Sequence, residues 1–485
     1  PQQRFLLLTP SEMLRRLKYA VLVCLNVFIL YYIVTLPVSF DFPIKLPAEN
    51  ATADKNPPLV ENLKQTVAPE NTGVSSKKAP PASINFVPEH THKDIDVLLT
   101  RPVYLGDDEA IYFVRIGHKE CFIQGTDFTN TSAESKACVC VEGYFGEDCG
   151  IPASAWYSFF SLDNNSAMLV RRKVPRRVIQ GLVVNHEFDM TEIRFHDLGS
   201  VIDAYIIGES NYSTYGDSKP LRFRDRFEKG FLQEFNHKIL YVFQEIYPQE
   251  AFRDGWVADS YIRTHMSVHG LPKVLNTRPD DLFLLFDADE LPSRESVLFL
   301  KLYDGYPEPI AFALRWSIYG FFWAVPSNEF SGVLTEKTTN VFAAVTLKFL
   351  DKFFHNDSIR IRANSIYNIR HQDLKKFENT EKHRVDAWTI GENGHFGGHH
   401  CSWCFTPEDI VIKLRTANKE DKPRWGDYPE KLNLDYIKNL IKTGTWFDDK
   451  GEQYLPRGHA DKYFCPPYLL KNMERYPRLV RNPYI

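Results

Sequence analysis

The chain has 485 residues, 44% hydrophobic and 25% charged, which is enough for two or three domains and at least one sizeable buried core. Its formal net charge of −4 excludes the strongly basic footprint of a nucleic-acid-binding protein. Seven of the eight cysteines and every N-x-Ser/Thr sequon (Asn50, Asn130, Asn164, Asn211, Asn356) follow an apolar run near the amino terminus.

That run, Tyr19 to Leu36, is interrupted only by Asn26 and Thr35 and is preceded by Arg15, Arg16 and Lys18. As a helix it would span about 27 Å, close to the thickness of an early-secretory bilayer. Positive charge on its amino side holds that side in the cytosol. The expectation is a type II signal anchor over residues 19–40, with a cytoplasmic tail over 1–18 and everything downstream in a disulfide-permissive lumen. A cleaved signal peptide is the alternative, but its apolar core would be shorter. Residues 41–95 are polar and proline-rich, carry no hydrophobic period and read as a flexible stem.

A cysteine-rich segment over 96–153 follows, ending in Cys138-Val-Cys140-Val-Glu-Gly143-Tyr-Phe-Gly146-Glu-Asp-Cys149. The spacing resembles the carboxyl half of an epidermal growth factor-like module. That resemblance implies disulfides Cys140–Cys149 and Cys121–Cys138, in a truncated module that would brace the domain after it. So small a unit needs such staples.

From 154 to 485 strand-like and helix-like segments alternate. Arg177–Asn185, Val201–Gly208, Lys238–Phe243 and Asp281–Phe286 read as buried strands, and Met190–Leu198 and Phe252–His269 as helices. Continuous apolar strands between helices predict an α/β domain with a mainly parallel sheet covered on both faces. Ligands in such sheets gather at the carboxyl ends of the strands, which makes Glu187 and Glu209 candidate nucleotide contacts, with a solvated loop as the alternative for each.

The fourth strand ends in Asp287-Ala288-Asp289-Glu290. In extended geometry Asp287 and Asp289 point to one side and can converge on a hard divalent cation. Such an ion would neutralise the diphosphate leaving from a nucleotide sugar. A strand end followed by an acidic cap is the plainer reading. His400 is a candidate third ligand, or a hydrogen-bonded structural histidine; with His399, Cys401 and Cys404 it could instead belong to a zinc site. Glu408 and Asp409 are candidate general bases, although Thr406-Pro407-Glu408-Asp409 also spells a helix start. Six tryptophans, Trp316 among them, could stack on sugars or fill the core.

The segments FDADELPSRESVLFLKLYDGYPEP, Ser317–Trp323, His400–Asp409 and Arg424–Tyr428 resemble glycosyltransferase family 17. The resemblance runs from the cysteine segment to the carboxyl terminus. It implies a GT-A-like fold, UDP-N-acetylglucosamine as donor, Mn²⁺ as metal, and inverting β-1,4 transfer to the core β-mannose of N-glycans on glycoproteins. It also implies a single-pass Golgi membrane protein with a luminal catalytic domain, held in the lipid bilayer by one transmembrane helix. A homodimer stays open as an assembly. Residues 327–393 contain less that matches, and Gly397-Gly398-His399-His400 departs from the Gly-Trp-His expected of the family. The competing readings are transfer to another acceptor, a membrane-tethered glycan-binding or adhesion protein with an inactive domain, and a nucleotide-sugar phosphodiesterase.

Overall fold

The apolar runs that read as strands do form strands, and they lie side by side. In the computed structural model, which describes residues 101–160, 169–327, 335–416 and 423–485, the domain is built on one sheet of eleven strands. The first three parallel layers come from β1 (Val178–Val183), β2 (Ala204–Ser210) and β3 (Ile239–Gln244), linked by α1 (Phe188–Leu198) and α2 (Arg222–Glu228). Helix α3 (Gly255–Gly270) then leads to β4 (Leu282–Asp287), which pairs parallel with β1. These elements fall within a few residues of the sequence expectation. Helix α3 starts at Gly255 because Asp254 caps it through the Trp256 amide, while Phe252 belongs to a preceding 3₁₀ turn.

Both faces of this half are buried. Leu282, Leu284 and Phe286 of β4 join one apolar cluster, and Phe283 and Leu285 join the other. Each such side chain contributes roughly 1.5–3 kcal/mol relative to exposure. Gly181 on β1 is needed for α3 to close down, since a Cβ there would lie 2.6 Å from Met266 Cε.

Beyond β4 the sheet changes character, which corrects the expectation of a mainly parallel sheet. After β5 (Glu290–Pro292) and α4 (Arg294–Leu302) come β6 (Glu308–Ile318), β7 (Gly320–Ala324), β8 (Thr338–Thr346), β9 (Val385–Ile390), β10 (Gly398–Ser402) and β11 (Leu455–Pro456). The main path runs β5-β10-β6-β8-β4-β1-β2-β3, with β7 and β9 also on β6 and β11 on β7. Pairs β4/β8, β6/β8, β6/β7, β5/β10 and β7/β11 are antiparallel. A turn too short for a helical crossover forces the antiparallel pairing of β6 with β7. The domain is mixed α/β.

The cysteine segment docks on this domain. Both expected disulfides, Cys121–Cys138 and Cys140–Cys149, are present. Tyr303 Oη donates to Asp148 Oδ2 at 2.8 Å, Arg294 Nη1 donates to Gln124 Oε1 at 2.7 Å, and Val103–Tyr104 pairs parallel with Val274–Leu275. A third disulfide joins Cys401 to Cys404, leaving Cys465 as a buried free thiol that burial, followed by Asp197, pushes up to about 12.

The expected tail, anchor and stem, and Asn50 and Asn164, lie outside the described residues; among the described residues no helix is long and apolar enough to cross a membrane. Asn130 is exposed, whereas Asn211 and Asn356 are half-buried.

Candidate active site

Strand β4 delivers its acids to a place where two distant parts of the chain meet. After Asp287 the chain turns and returns as β5, which pairs with β10 so that Glu290 lies opposite His400. The Asp289 carbonyl accepts from the Cys401 amide at 2.9 Å. This ribbon sets Asp289 Oδ1 3.8 Å from His400 Nε2. Beneath the turn, Arg194 on α1 is fully buried and donates through Nη2 to the carbonyls of Asp287 at 2.6 Å and Glu290 at 2.5 Å.

The two aspartates have different surroundings. Asp287 Oδ1 accepts from Arg263 at 2.6 Å and Oδ2 from Arg362 at 3.1 Å. Burial raises this carboxyl, but the two guanidiniums more than offset it and hold it well below the usual range. Arg362 also binds Glu290 in a fork, at 2.8 and 3.0 Å. Burial and the neighbouring Asp287 charge push Glu290 up. Asp289 has Lys413 as its cation, with Oδ2 3.3 Å from Nζ. Burial raises its carboxyl too, and Lys413 followed by His400 brings it below the ordinary value.

The His400 ring is held on several sides. It stacks on Trp316, its register partner on β6, with centroids 5.7 Å apart and planes at 9°. Trp316 Nε1 donates to Ser402 Oγ at 2.9 Å, and that hydroxyl lies 3.0 Å from His400 Nε2. His400 Nδ1 is 3.3 Å from Thr339 Oγ1 on β8. Nε2 thus has both the Ser402 hydroxyl and the Asp289 carboxylate within reach, and a proton on Nε2 would be shared with that carboxylate.

Past the Cys401–Cys404 disulfide, Thr406 opens α5 (Pro407–Thr416): its Oγ1 accepts from the Asp409 amide at 3.2 Å and donates to Asp409 Oδ2 at 2.9 Å. The helix start anticipated from Thr406-Pro407 is therefore real. Asp409 and Lys413, four apart, share a face, while Glu408 is exposed. The disulfide removes both thiolates from any zinc site.

A cavity of about 130 Å³ opens at the carboxyl ends of β1, β2 and β3. Asn185, Ser210, Tyr212, Lys219, Gln244 and Asp259 are in its lining, as is Thr416 at the end of α5. Gln244 is 3% exposed; its Nε2 donates to the Ile246 carbonyl at 3.0 Å and its Oε1 is buried without a partner. Burial lowers the Lys219 amine, against the pull of Glu209. Neither strand-end glutamate lines this cavity. Glu187 Oε2 accepts from the amides of Asn185 and His186, both at 2.9 Å. Glu209 is fully buried, accepting from the Phe223 and Arg224 amides that begin α2 and from Tyr241 Oη.

Asp289, in the turn between β4 and β5, and His400, on β10, thus offer a carboxylate and an imidazole side by side, a donor pair suited to a transition-metal dication. Among the described residues no three His, Cys, Asp or Glu side chains are gathered closely enough to hold a metal.

Residues 167–344 match the family described as Glycosyltransferase family 17. Over that stretch the chain resembles glycosyltransferase family 17. It is 44% identical over 347 residues to the human protein named Beta-1,4-mannosyl-glycoprotein 4-beta-N-acetylglucosaminyltransferase, a match that covers 72% of this chain and 62% of that relative. The rat protein of the same name is 44% identical over the same coverage, and the mouse protein 43%. The chain therefore spans 62% of the length of these curated relatives.

The family 17 match contains Asp287, Asp289, Arg194, Arg263 and Trp316 but ends within β8, before Arg362, His400 and Lys413. These last three join the site through the fold. Arg194, Arg263, Arg362 and Lys413 went unnoticed in the sequence because a basic residue on a helix ordinarily reads as solvated.

Proposed function

We propose that this chain is a Golgi-type, membrane-anchored N-acetylglucosaminyltransferase that uses UDP-N-acetylglucosamine and a divalent metal, Mn²⁺ by the family resemblance. The proposed product is a β-1,4-linked N-acetylglucosamine on the core β-mannose of N-glycans. The observation that carries this reading is the pairing of Asp289 with His400 just past the carboxyl end of β4, a strand parallel to β1, together with a cavity at the carboxyl ends of β1, β2 and β3. The names of the relatives and the family match support the sugar transferred and the mannosyl-glycoprotein acceptor. The GT-A-like description of the fold rests on the same parallel half-sheet.

In this reading Asn185, Ser210 and Gln244 bind the nucleoside, and the buried Oε1 of Gln244 accepts a hydrogen bond from an N–H of the base. Lys219 meets the phosphates. Asp289 and His400 would hold the metal, which when bound neutralises the leaving diphosphate. Asp287, with both oxygens committed to arginines, orients the turn that presents Asp289. An acid at the start of α5 removes the proton from the attacking hydroxyl, and Asp409, on the face shared with Lys413, is better placed than Glu408.

The test is transfer by the purified full chain, with Mn²⁺, UDP-N-acetylglucosamine and a free biantennary N-glycan, read by mass spectrometry. The expected product gains one N-acetylhexosamine, and the gain disappears with chelator. Free N-acetylglucosamine without an acceptor product would point to a phosphodiesterase. Acceptor binding without turnover of any donor would point to a glycan-binding protein.

A further inference from the structure

Three cations surround the acids at the end of β4, and they are not held alike. Arg263 contacts both Asp287 and Asp259, and Arg362 grips Glu290 in a fork while reaching Asp287. Lys413 makes a single contact with a carboxylate, 3.3 Å to Asp289 Oδ2. A lysine is a compact charge on a flexible stem, whereas a forked guanidinium is fixed in direction. Lys413 is thus the one of the three that can leave its acid without breaking a second ion pair.

Its surroundings indicate where it would go. The ammonium lies over the rings of Trp403 and Phe405, at 5.3 and 5.2 Å from their centroids. Thr416, one turn further along α5, lines the cavity at the ends of β1 to β3. Residues three apart share a helix face. Lys413 and Thr416 thus share the helix face that meets Asp289 at one end and the cavity at the other.

We propose that Lys413 is the resident counter-ion of Asp289, displaced when a divalent cation binds there, and that the released ammonium becomes a ligand of the donor diphosphate. This rests on the donor and metal reading above. A dication and an ammonium a few ångströms apart on one carboxylate repel each other, and that repulsion grows as the local dielectric falls, which favours departure of the ammonium. The anion then available to the ammonium is the diphosphate. Metal binding is accordingly weakened by the fraction of molecules in which lysine already holds Asp289.

The experiment is Mn²⁺ binding to the purified full chain without donor, by calorimetry, for the unaltered protein, Lys413→Met, Lys413→Arg and Asp289→Asn. Lys413→Met is expected to bind Mn²⁺ about tenfold more tightly, with Lys413→Arg close to the unaltered protein. At saturating Mn²⁺, Lys413→Met is expected to bind UDP about tenfold more weakly, since a charge-assisted contact is lost. Mn²⁺ binding that Asp289→Asn abolishes but Lys413→Met leaves equal or weaker would overturn the counter-ion role alone. UDP affinity unchanged in Lys413→Met would overturn the diphosphate role. Absence of Asp289-dependent Mn²⁺ binding in both the unaltered protein and Lys413→Met would bring down the metal reading, and this proposal with it.

Discussion

Asp289 and His400 face each other at 3.8 Å across the β5/β10 ribbon, brought together by three residue pairs of antiparallel register. The reach of this arrangement can be tested one residue at a time.

Asp289→Ala is expected to lower metal-dependent transfer by at least the ~10- to 100-fold seen when supporting groups at metal sites are lost. The fold should survive, because the Asp289 side chain caps no helix and its backbone carries the strand contact. Transfer assays paired with a circular dichroism melt check both halves; unimpaired transfer would remove Asp289 from the site.

Gly398→Ala acts on the same ribbon without touching a charge. A Cβ at 398 would stand 2.2 Å from the Leu291 carbonyl oxygen and 2.7 Å from Pro292 Cα. Backbone cannot yield as a side chain can, so β10 must shift away from β5 and take His400 with it. The expected result is a loss of turnover larger than the loss of stability, read by comparing kcat with the melting temperature.

Asp409→Asn and Glu408→Gln separate the two acids of α5. With donor and acceptor saturating, the asparagine variant is expected to lose transfer by about 10²-fold or more, the usual scale of general-base catalysis, and the glutamine variant to retain most of it. The reverse pattern would assign the proton to Glu408.

Asp281 lies far from this chemistry and serves as a stability control. It is fully buried with Arg177, 2.8 Å apart, and also accepts from the Arg177 and Arg278 amides. Removing the charge by Asp281→Ala strands a buried guanidinium, for an expected loss of about 3–5 kcal/mol in a urea titration.

Asp197 gives a pH signature. Burial raises its carboxyl from 3.8 to about 6 in the folded chain, despite the hydrogen bond from the Tyr468 amide. Between those values the folded state holds a proton that the unfolded state has released. Stability contributed at low pH is therefore lost as pH rises through the window. Asp197→Asn keeps the carbonyl acceptor and is expected to raise stability at pH 7.5 by about 1 kcal/mol and flatten the profile between pH 4 and 6. An unchanged slope in pH-dependent melts would contradict this.

Much of the parallel half was legible because each of its strands is a predominantly apolar run, and a run buried on both faces needs no alternation to be recognised. The same run, ending in Asp287 and Asp289, pointed to the site. The mixed half was not legible, since β8 opens on Thr338, Thr339 and Asn340, and the direction of each pairing with β6 is decided only by its neighbours in the fold. Glu209 could not be read either. It sits at a strand end like a ligand contact, but the amides it satisfies at Phe223 and Arg224 lie on a helix that only folding brings near. The arginines around Asp287 were hidden for the same reason: Arg263 and Arg362 lie on separate helices, with no spacing that links either to Asp287.

The Cys401–Cys404 bridge ties the strand that carries His400 to the short connection leading into the helix that carries Asp409 and Lys413. Reduction would leave that connection free to sample more shapes, and each shape would change the aim of the groups on either side. A copy of this chain stranded where thiols stay reduced would be made in full yet poorly assembled at its centre. Oxidation would thus act as a licence, confining competence to the compartment where the bridge can form.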